Sequence, residues 1–277
     1  MADTGIACRN RLIQPFTIAG LATVTLLVAA GCSSGANGSA GAPQTAKKAL
    51  LATASRTRQV NSAVETLNVR ETGAQTAATA GVIQFRRTPS PLIGETLKVT
   101  ADGKSTQLKA VLTDAAFYLS EPALTSQLGK PWIKIDLSGQ QNGALGSIGQ
   151  LVHSLQGNNF LNMTQLFAAT KNARVVGRQT IDGVATTEYA GTFHANAALK
   201  ALSPAYRKVL APEYKALGNT SVRFHVWIDG QHYTRKATTV ETINGETIDT
   251  MVTVKAINQP VRIVIPPTSQ TATPPGA

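Results

Sequence analysis

Residues 222–230 read VRFHVWIDG, an alternation of apolar and polar side chains that ends in an Asp-Gly pair. Successive side chains of a β-strand point to opposite faces of a sheet, so Val222, Phe224 and Val226 share one face. An Asp-Gly pair readily supplies the positive φ angles of a tight hairpin turn. The stretch therefore predicts one strand of a half-buried antiparallel sheet, followed directly by its hairpin partner.

Three further dipeptides of the same kind separate β-rich stretches, namely Asp102-Gly103, Asp182-Gly183 and Asn244-Gly245. Parallel strands require a crossover connection, usually helical, whereas antiparallel strands can be joined by two residues. The four turns together therefore predict an antiparallel meander. The Asn244-Gly245 turn makes the most specific prediction, an antiparallel pair formed by residues 234–243 and 246–257.

Other strands are predicted from the same alternation. In residues 93–99, Ile93, Leu97 and Val99 are expected on one face, and Glu95 and Lys98 on the other. The remaining predicted strands contain Ile83 and Phe85, Leu108 and Leu112, and Ile133 and Ile135.

Helical spacing appears in four places. Residues 44–60 have a partial apolar stripe, and residues 143–156 repeat Leu145, Ile148 and Val152 at helical intervals. A third segment contains Leu166, and residues 195–217 are interrupted by prolines, which predicts a chain of short helices there. Helices inserted into an antiparallel meander pack on one face of a single sheet, which predicts an α+β fold.

The N-terminus carries an export signal. Arg9 and Arg11 precede an apolar run at residues 16–30, which is shorter than the ~20 apolar residues of a membrane span. Residues 28–32 read VAAGC and resemble a lipobox, with Ala29 where leucine is usual. Cys32 is thus predicted to be acylated and to become the mature N-terminus. The alternative is an ordinary secretory signal in which Cys32 is incidental.

These features divide the chain into four parts. Residues 1–31 are predicted to be a lipoprotein signal peptide, and residues 32–43, rich in Ser, Gly and Ala, a flexible tether. Residues 44–265 show no break in composition and are predicted to form a single domain. Residues 266–277 contain four prolines and are predicted to be a disordered tail.

Composition and charge limit the classes of molecule that the chain is expected to bind. The chain has a formal charge of +11, which favours anionic lipid headgroups at a membrane, with a merely solvated basic face as the alternative. Basic residues are scattered and no zinc-finger spacing occurs, so nucleic acid is not an expected partner. The two cysteines, Cys8 and Cys32, leave no disulfide framework after processing.

Catalytic patterns are weak. Ser147 lies in a GSIG sequence that lacks the first glycine of a nucleophile elbow, because Leu145 occupies that position. The four histidines have no metal-ligand spacing, and no pair of carboxylates suggests acid–base catalysis. We therefore expect no enzymatic activity, no metal and no cofactor.

The chain resembles the LppX/LprG-type family of mycobacterial lipoproteins over nearly its whole mature length. The resemblance depends on the order and spacing of several segments, none of them specific alone. These are the lipobox Cys32, the end of the first helix at residues 60–62, AFYL at 116–119 before Trp132, VVG at 175–177, IDGVATTEY at 181–189, VWID at 226–229 and VIP at 264–266.

Membership of that family implies a half-open β-barrel, a curved antiparallel sheet with helices on its concave face, similar to the LolA/LolB carriers. The implied function is to bind acyl lipids or glycolipids in an apolar cavity and carry them from the plasma membrane into the envelope. It also implies an envelope transporter as a partner and a location on the extracytoplasmic face of the membrane, anchored through acylated Cys32. The alternatives are an envelope sensor or regulatory module that binds a partner protein, and a purely structural surface lipoprotein.

The expected cavity lining combines the apolar faces of strands and helices. Periodicity groups each set on one face, and the family resemblance supplies the enclosed space between them. The expected lining residues are Ile83, Phe85, Leu97, Val99, Leu108, Leu112, Leu119, Leu145, Ile148, Val152, Leu166, Val222, Phe224 and Val226.

Overall fold

The computed structural model describes residues 43–73, 76–126, 128–137, 160–202, 217–243 and 245–273, together with residues 204, 207 and 211. The lipobox, the tether and the predicted helix at 143–156 lie outside the described residues. Of the helix predicted at 195–217, the structure describes a first segment, residues 195–201.

Two antiparallel meanders build the sheet. The first meander contains β1 (Ser62–Thr72), β2 (Ala77–Arg86), β3 (Leu92–Ala101), β4 (Lys104–Thr113), β5 (Ala116–Ser120) and β6 (Trp132–Asp136). The second meander contains β7 (Arg174–Ile181), β8 (Val184–His194), β9 (Ser221–Asp229), β10 (Thr234–Ile243) and β11 (Glu246–Ile257). Strands β1 and β11 pair antiparallel and join the two meanders at the centre of the sheet.

The sheet has twelve strands in the order β12-β6-β5-β4-β3-β2-β1-β11-β10-β9-β8-β7, where β12 is Thr271–Ala272. Its two edges do not meet, so the curved sheet is a half-open barrel, and the predicted α+β fold class is confirmed. Only the two-residue β12 runs parallel to its neighbour, β6.

Turn chemistry sets the hairpins. The two strands predicted at residues 234–243 and 246–257 have these bounds, and they pair antiparallel from Lys236 with Thr253 to Ile243 with Glu246. Asp102 and Gly103 have φ angles of 52° and 72°, and Asp182 and Gly183 have 47° and 81°, as a two-residue hairpin turn requires.

The Asp229-Gly230 turn differs from the prediction, because the positive φ angle of 65° occurs at His232 instead. Asp229 is buried and its Oδ1 accepts hydrogen bonds from the backbone N–H groups of Gln231 and Tyr233, at 2.9 Å each. Arg235 contacts the other carboxylate oxygen at 2.7 Å. Asp229 therefore stabilises a longer turn, in which its carboxylate accepts the hydrogen bonds of two backbone N–H groups.

The described helices are α1 (Pro43–Thr57), α2 (Pro122–Thr125), α3 (Phe160–Ala169) and α4 (Ala195–Ala201). Helix α1 packs on α3 and β7, while α3 and α4 pack on β8. Lys47 of α1 donates hydrogen bonds to the carbonyl oxygens of Ala168 and Thr170, where α3 ends. Burial, and secondarily Lys171, lowers the pKa of Lys47. The lysine thus caps a helix C-terminus, whose free carbonyls attract a cation.

The largest apolar cluster lies between these helices and the second meander. Phe167 of α3 stacks on Phe224 of β9 with ring centroids 4.6 Å apart, and Phe193 of β8 lies 6.2 Å from Phe224. Gly191 makes room for this ring, since a Cβ there would lie 2.8 Å from Phe224 Cζ. Aromatic packing of this kind adds stability beyond the area it buries.

The chain after β11 crosses the opposite side of the sheet. Ile263 lies against Gly94 of β3, where a Cβ on the glycine would be 3.0 Å from Ile263 Cγ2. A 3₁₀ turn at Thr268–Gln270 then leads into β12 beside β6. We call residues 259–267 the C-terminal strap. Residues 266–273, assigned by the sequence to a disordered tail, are instead ordered by strand pairing and by a hydrogen bond from Lys130 to the Ser269 carbonyl.

Within the described residues, no helix combines the length and the apolar character needed to cross a membrane.

Candidate functional site

The inner face of the sheet is the side that carries the helices and the apolar clusters, and the outer face is the side that carries the strap. Cross-strand pairing places Glu65, Ile83, Glu95, Ala110 and Leu119 in one row of the inner face. The next row contains Leu67, Gly81, Leu97 and Leu108, and the one after it Val69, Thr79, Val99 and Thr106. Aliphatic side chains therefore dominate the inner face of the first meander.

All of the expected lining residues that the structure describes lie on the inner side of the sheet. Leu145, Ile148 and Val152 lie outside the described residues. The others are Ile83 and Phe85 on β2, Leu97 and Val99 on β3, Leu108 and Leu112 on β4, Leu119 on β5, Leu166 on α3, and Val222, Phe224 and Val226 on β9.

Their surroundings differ between the meanders. Leu166, Val222, Phe224 and Val226 are at most 1% exposed and belong to one closely packed cluster with the helices. Leu97, Val99 and Leu108 are only half-buried. The second meander thus contributes packed core. On the first meander Ile83, Phe85, Leu112 and Leu119 are also buried, and the half-buried residues form an apolar patch beside them at which further atoms could be accommodated.

Glu95 corrects the sequence analysis, which placed it opposite Ile93, Leu97 and Val99. All four residues have odd numbers and share the inner face of β3, and Glu95 pairs with Ile83 and Ala110. The prediction assumed that a charged residue would face water, and this assumption overrode the two-residue period of the strand. Lys98 lies on the outer face, as expected, and is exposed.

Glu95 is only 9% exposed. Its cross-strand neighbours cannot hydrogen-bond through their side chains, and burial raises the pKa of Glu95 to about 7. Desolvation disfavours the charged form of a carboxyl group, which explains the direction. Near neutral pH this carboxyl group exists in both protonation states.

Other carboxyl groups share the inner face. Glu65 of β1 is buried in the same row as Glu95, one strand beyond Ile83. Glu71 and Glu241 both pair with Ile248, and Glu246 is the first residue of β11. Burial raises the pKa of Glu241. Sequence alone does not bring these carboxyl groups together, because the sheet register that aligns them is not a local property of the chain.

Many of the basic side chains of the sheet lie on its outer face. The strand lysines and arginines that face outward include Arg70, Lys98, Lys109, Lys134, Arg223 and Lys236. Lys236 lies over the ring of Trp227 at 4.7 Å, and His225 contacts Glu188 at 2.6 Å. Basic side chains are thus frequent on the outer face, where Glu188 and Asp249 also lie. The central part of the inner face carries carboxyl groups, and the inward-facing Lys104 and Arg178 belong to other strands, β4 and β7.

A separate cleft of 570 Å³ lies where α3 ends and α4 begins. Its apolar part includes Ala169, Phe193 and Ala198, and Lys171 and Lys200 line it as well. This cleft lies on the second meander, away from the row that contains Glu95.

In the part of the chain that the structure describes, no group of three or more His, Cys, Asp or Glu side chains is placed to hold a metal ion. The described carboxyl groups follow separate strands of an open face rather than converging on one point.

No family model and no curated protein sequence matches the chain. Among solved structures, LprF from Mycobacterium bovis is similar at a TM-score of 0.48 and 15% identity, covering 80% of this chain and 97% of LprF. The MucA/MucB complex of Pseudomonas aeruginosa gives a TM-score of 0.32 and 14% identity over 76% of this chain and 58% of that chain.

A putative outer membrane lipoprotein-sorting protein domain from Vibrio parahaemolyticus gives a TM-score of 0.27 at 9% identity, covering 78% of this chain and 92% of that domain. Each of these similarities concerns the overall fold.

Proposed function

We propose that the protein is a cell-envelope lipoprotein that binds acyl lipids or glycolipids on the inner face of the first meander and carries them from the plasma membrane into the envelope. The observation that carries the proposal is the half-buried state of Leu97, Val99 and Leu108, which lie side by side next to a buried apolar cluster on the same face. The surface that these side chains leave uncovered is apolar and contiguous, as an acyl chain requires.

The physical chemistry of acyl chains suits such a face. Each CH₂ group that leaves water for an apolar site contributes ~0.8 kcal/mol, so a long chain needs few polar contacts. The proposal assigns no catalytic residue and no cofactor, since shape and apolar area suffice for holding and releasing a lipid.

The test is lipid analysis of the protein isolated from its native membranes. Organic extracts of the purified protein are compared by mass spectrometry with extracts of the same chain unfolded, stripped and refolded without lipid. We expect acyl lipid in amounts comparable to the protein in the native sample alone. Native protein without bound lipid would overturn the proposal.

We also propose that Cys32 anchors the chain through acyl groups on the extracytoplasmic face of the membrane. Cys32→Ala should move the protein from the membrane fraction to the soluble fraction, and the intact mass of the native mature protein should include acyl additions. A mature protein that starts elsewhere and has no lipid mass would refute the anchor without affecting the proposed lipid binding.

The second candidate function is an envelope sensor or regulatory module that binds a partner protein. It is favoured by exposed apolar side chains on the outer face, where Val82 is 40% exposed and Val264 of the strap is 61% exposed. Both line a shallow cleft beside the strap. A native sample that contains a stoichiometric protein partner and no lipid would favour this function over the carrier.

A further inference from the structure

Glu95 is a mostly buried carboxyl group that has no protein hydrogen-bond partner among the described residues. It lies on the inner face between Ile83 and Ala110, and it makes no hydrogen bond and no ion pair with the described residues. Burying a polar group without a partner costs free energy, and the cost is larger for a charge. Buried groups of this kind in a native protein need an explanation, and a bound ligand provides one.

The charge distribution of the sheet is a second, separate observation. Glu71, Glu241 and Glu246 face the same side as Glu95, and one carboxylate oxygen of Glu246 is buried without a hydrogen-bond partner. The strand lysines and arginines named above lie on the other side. An anionic group beside Glu95 would therefore meet like charge, whereas a hydrogen-bond donor there would meet an acceptor.

We propose that Glu95 is a ligand-binding residue of the inner face, and that its carboxyl group accepts a hydrogen bond from an ammonium or hydroxyl group of an amphiphile with an aliphatic chain. The inference rests on the proposed lipid binding and deepens it, since it specifies the ligand as neutral or cationic at this depth. Anionic headgroups are excluded from the subsite.

The neighbours of Glu95 accommodate the rest of such a ligand. Leu97 and Val99 follow along β3 towards one end, and Ile93 and Leu112 lie towards the other. Apolar surface thus extends on both sides of one acceptor. An aliphatic chain can lie along β3 while its polar group stays beside the carboxyl group.

The experiment compares stearylamine, stearyl alcohol and stearate, which share one saturated chain and differ only in the polar group. Their affinities are measured by displacement of the neutral dye N-phenyl-1-naphthylamine from the purified full chain at neutral pH. We expect stearylamine and stearyl alcohol, whose polar groups donate hydrogen bonds, to bind about tenfold more tightly than stearate, which corresponds to ~1.4 kcal/mol. If stearylamine binds more tightly than stearyl alcohol, the subsite prefers an ammonium group as the donor. If the two bind equally, a hydroxyl group is sufficient as the donor.

Glu95→Gln should reduce the preference over stearate to about twofold or less, because the charge that repels stearate is gone. Glu188→Gln is the matched control, since it makes the same chemical change on the outer face and should leave the preference intact. Circular dichroism checks that each variant folds. If Glu95→Gln does not fold, Glu95→Asp replaces it. Glu95→Asp should also weaken the preference for stearylamine and stearyl alcohol over stearate, because its shorter side chain moves the acceptor away from the ligand.

The outcomes separate the two proposals. Tight binding of all three probes without preference, or a preference that Glu95→Gln leaves unchanged, overturns the subsite and leaves the lipid carrier standing. Failure of every probe to displace the dye overturns both. A preference for stearate contradicts the assigned chemistry directly.

Discussion

The two meanders of the sheet are stabilised from opposite sides. The second meander is covered on its inner face by α1, α3 and α4, with Phe167 stacked on Phe224 at 4.6 Å. The first meander carries the C-terminal strap on its outer face, and the four-residue α2 packs against β4. Its inner face has a buried cluster around Phe117 and, beside it, the half-buried Leu97, Val99 and Leu108. One continuous sheet therefore has a closely packed half and a half with a partly covered apolar patch on its inner face.

The two halves can therefore serve two requirements that conflict in a small domain, stability through close packing and space for a ligand. Close packing gives rigidity but leaves no volume for a ligand, because protein interiors have the density of organic crystals. A partly covered face can accept a ligand but contributes less to stability. Because the packed core and the partly covered face lie on adjacent meanders of one sheet, the packed half can stabilise the conformation of the other half.

The largest expected effect is on the packed half. Phe224→Ala should lower the free energy of unfolding by about 3–5 kcal/mol, since it removes a fully buried ring from the aromatic cluster. Leu97→Ala on the first meander should cost less than about 2 kcal/mol, because Leu97 is only half-buried. Urea unfolding of both variants measures the difference, and equal losses would mean that the two halves are packed alike.

The next largest effect is a change of stability with pH, which we expect from Glu95 on the first meander. Burial raises the pKa of Glu95 from 4.5 to about 7, so the folded chain binds more protons there than the unfolded chain between those values. Stability should therefore fall as pH rises through this window, by up to about 3 kcal/mol. Glu95→Gln should remove that fall and stabilise the chain above neutral pH.

Unfolding free energies at a series of pH values measure this effect, with Glu188→Gln as the control on the outer face. An unchanged pH profile in Glu95→Gln would show that Glu95 is not a buried group titrating near neutrality.

Two substitutions by tryptophan probe the free space on the inner face of each meander. Val226→Trp should cost ~1–3 kcal/mol, because the fully buried Val226 has no space for a larger side chain. Leu97→Trp should cost less than that and should reduce bound lipid, since the ring would occupy the ligand surface. Val82→Trp on the outer face, where Val82 is 40% exposed, is the control for lipid content.

Melting temperature and lipid content are measured together on each tryptophan variant. Leu97→Trp protein that retains its full lipid content would contradict the placement of the ligand on the first meander.

The smallest effect concerns the strap. Ile263→Ala should destabilise the chain by about 1 kcal/mol, because it removes part of a half-buried side chain that rests on Gly94. Hydrogen exchange should increase in β3 and β4 and stay unchanged in β8 and β9. Increased exchange across all four strands would mean that the strap stabilises the whole sheet rather than one half.

The sequence predicted best what local chemistry determines. The Asn244-Gly245 turn specified both strand boundaries, because turn residues and strand alternation act over a few neighbouring positions. The inward orientation of Glu95 was missed because polarity was weighed above strand period. Alignment of Glu65 with Glu95 depends on pairing between strands, and the order of β12 depends on a distant partner, β6. Such relationships are absent from any local window of sequence.

The central pairing of β1 with β11 has a consequence for how the chain folds. Asn61 donates its backbone N–H to Asn258 Oδ1 at 2.7 Å across 197 residues of sequence, whereas most other strand neighbours are adjacent hairpins. During synthesis each meander can form from local contacts as it leaves the ribosome, but the seam between them waits for the last long strand. Until then both seam edges expose unpaired backbone groups, and unpaired strand edges favour aggregation of a nascent chain.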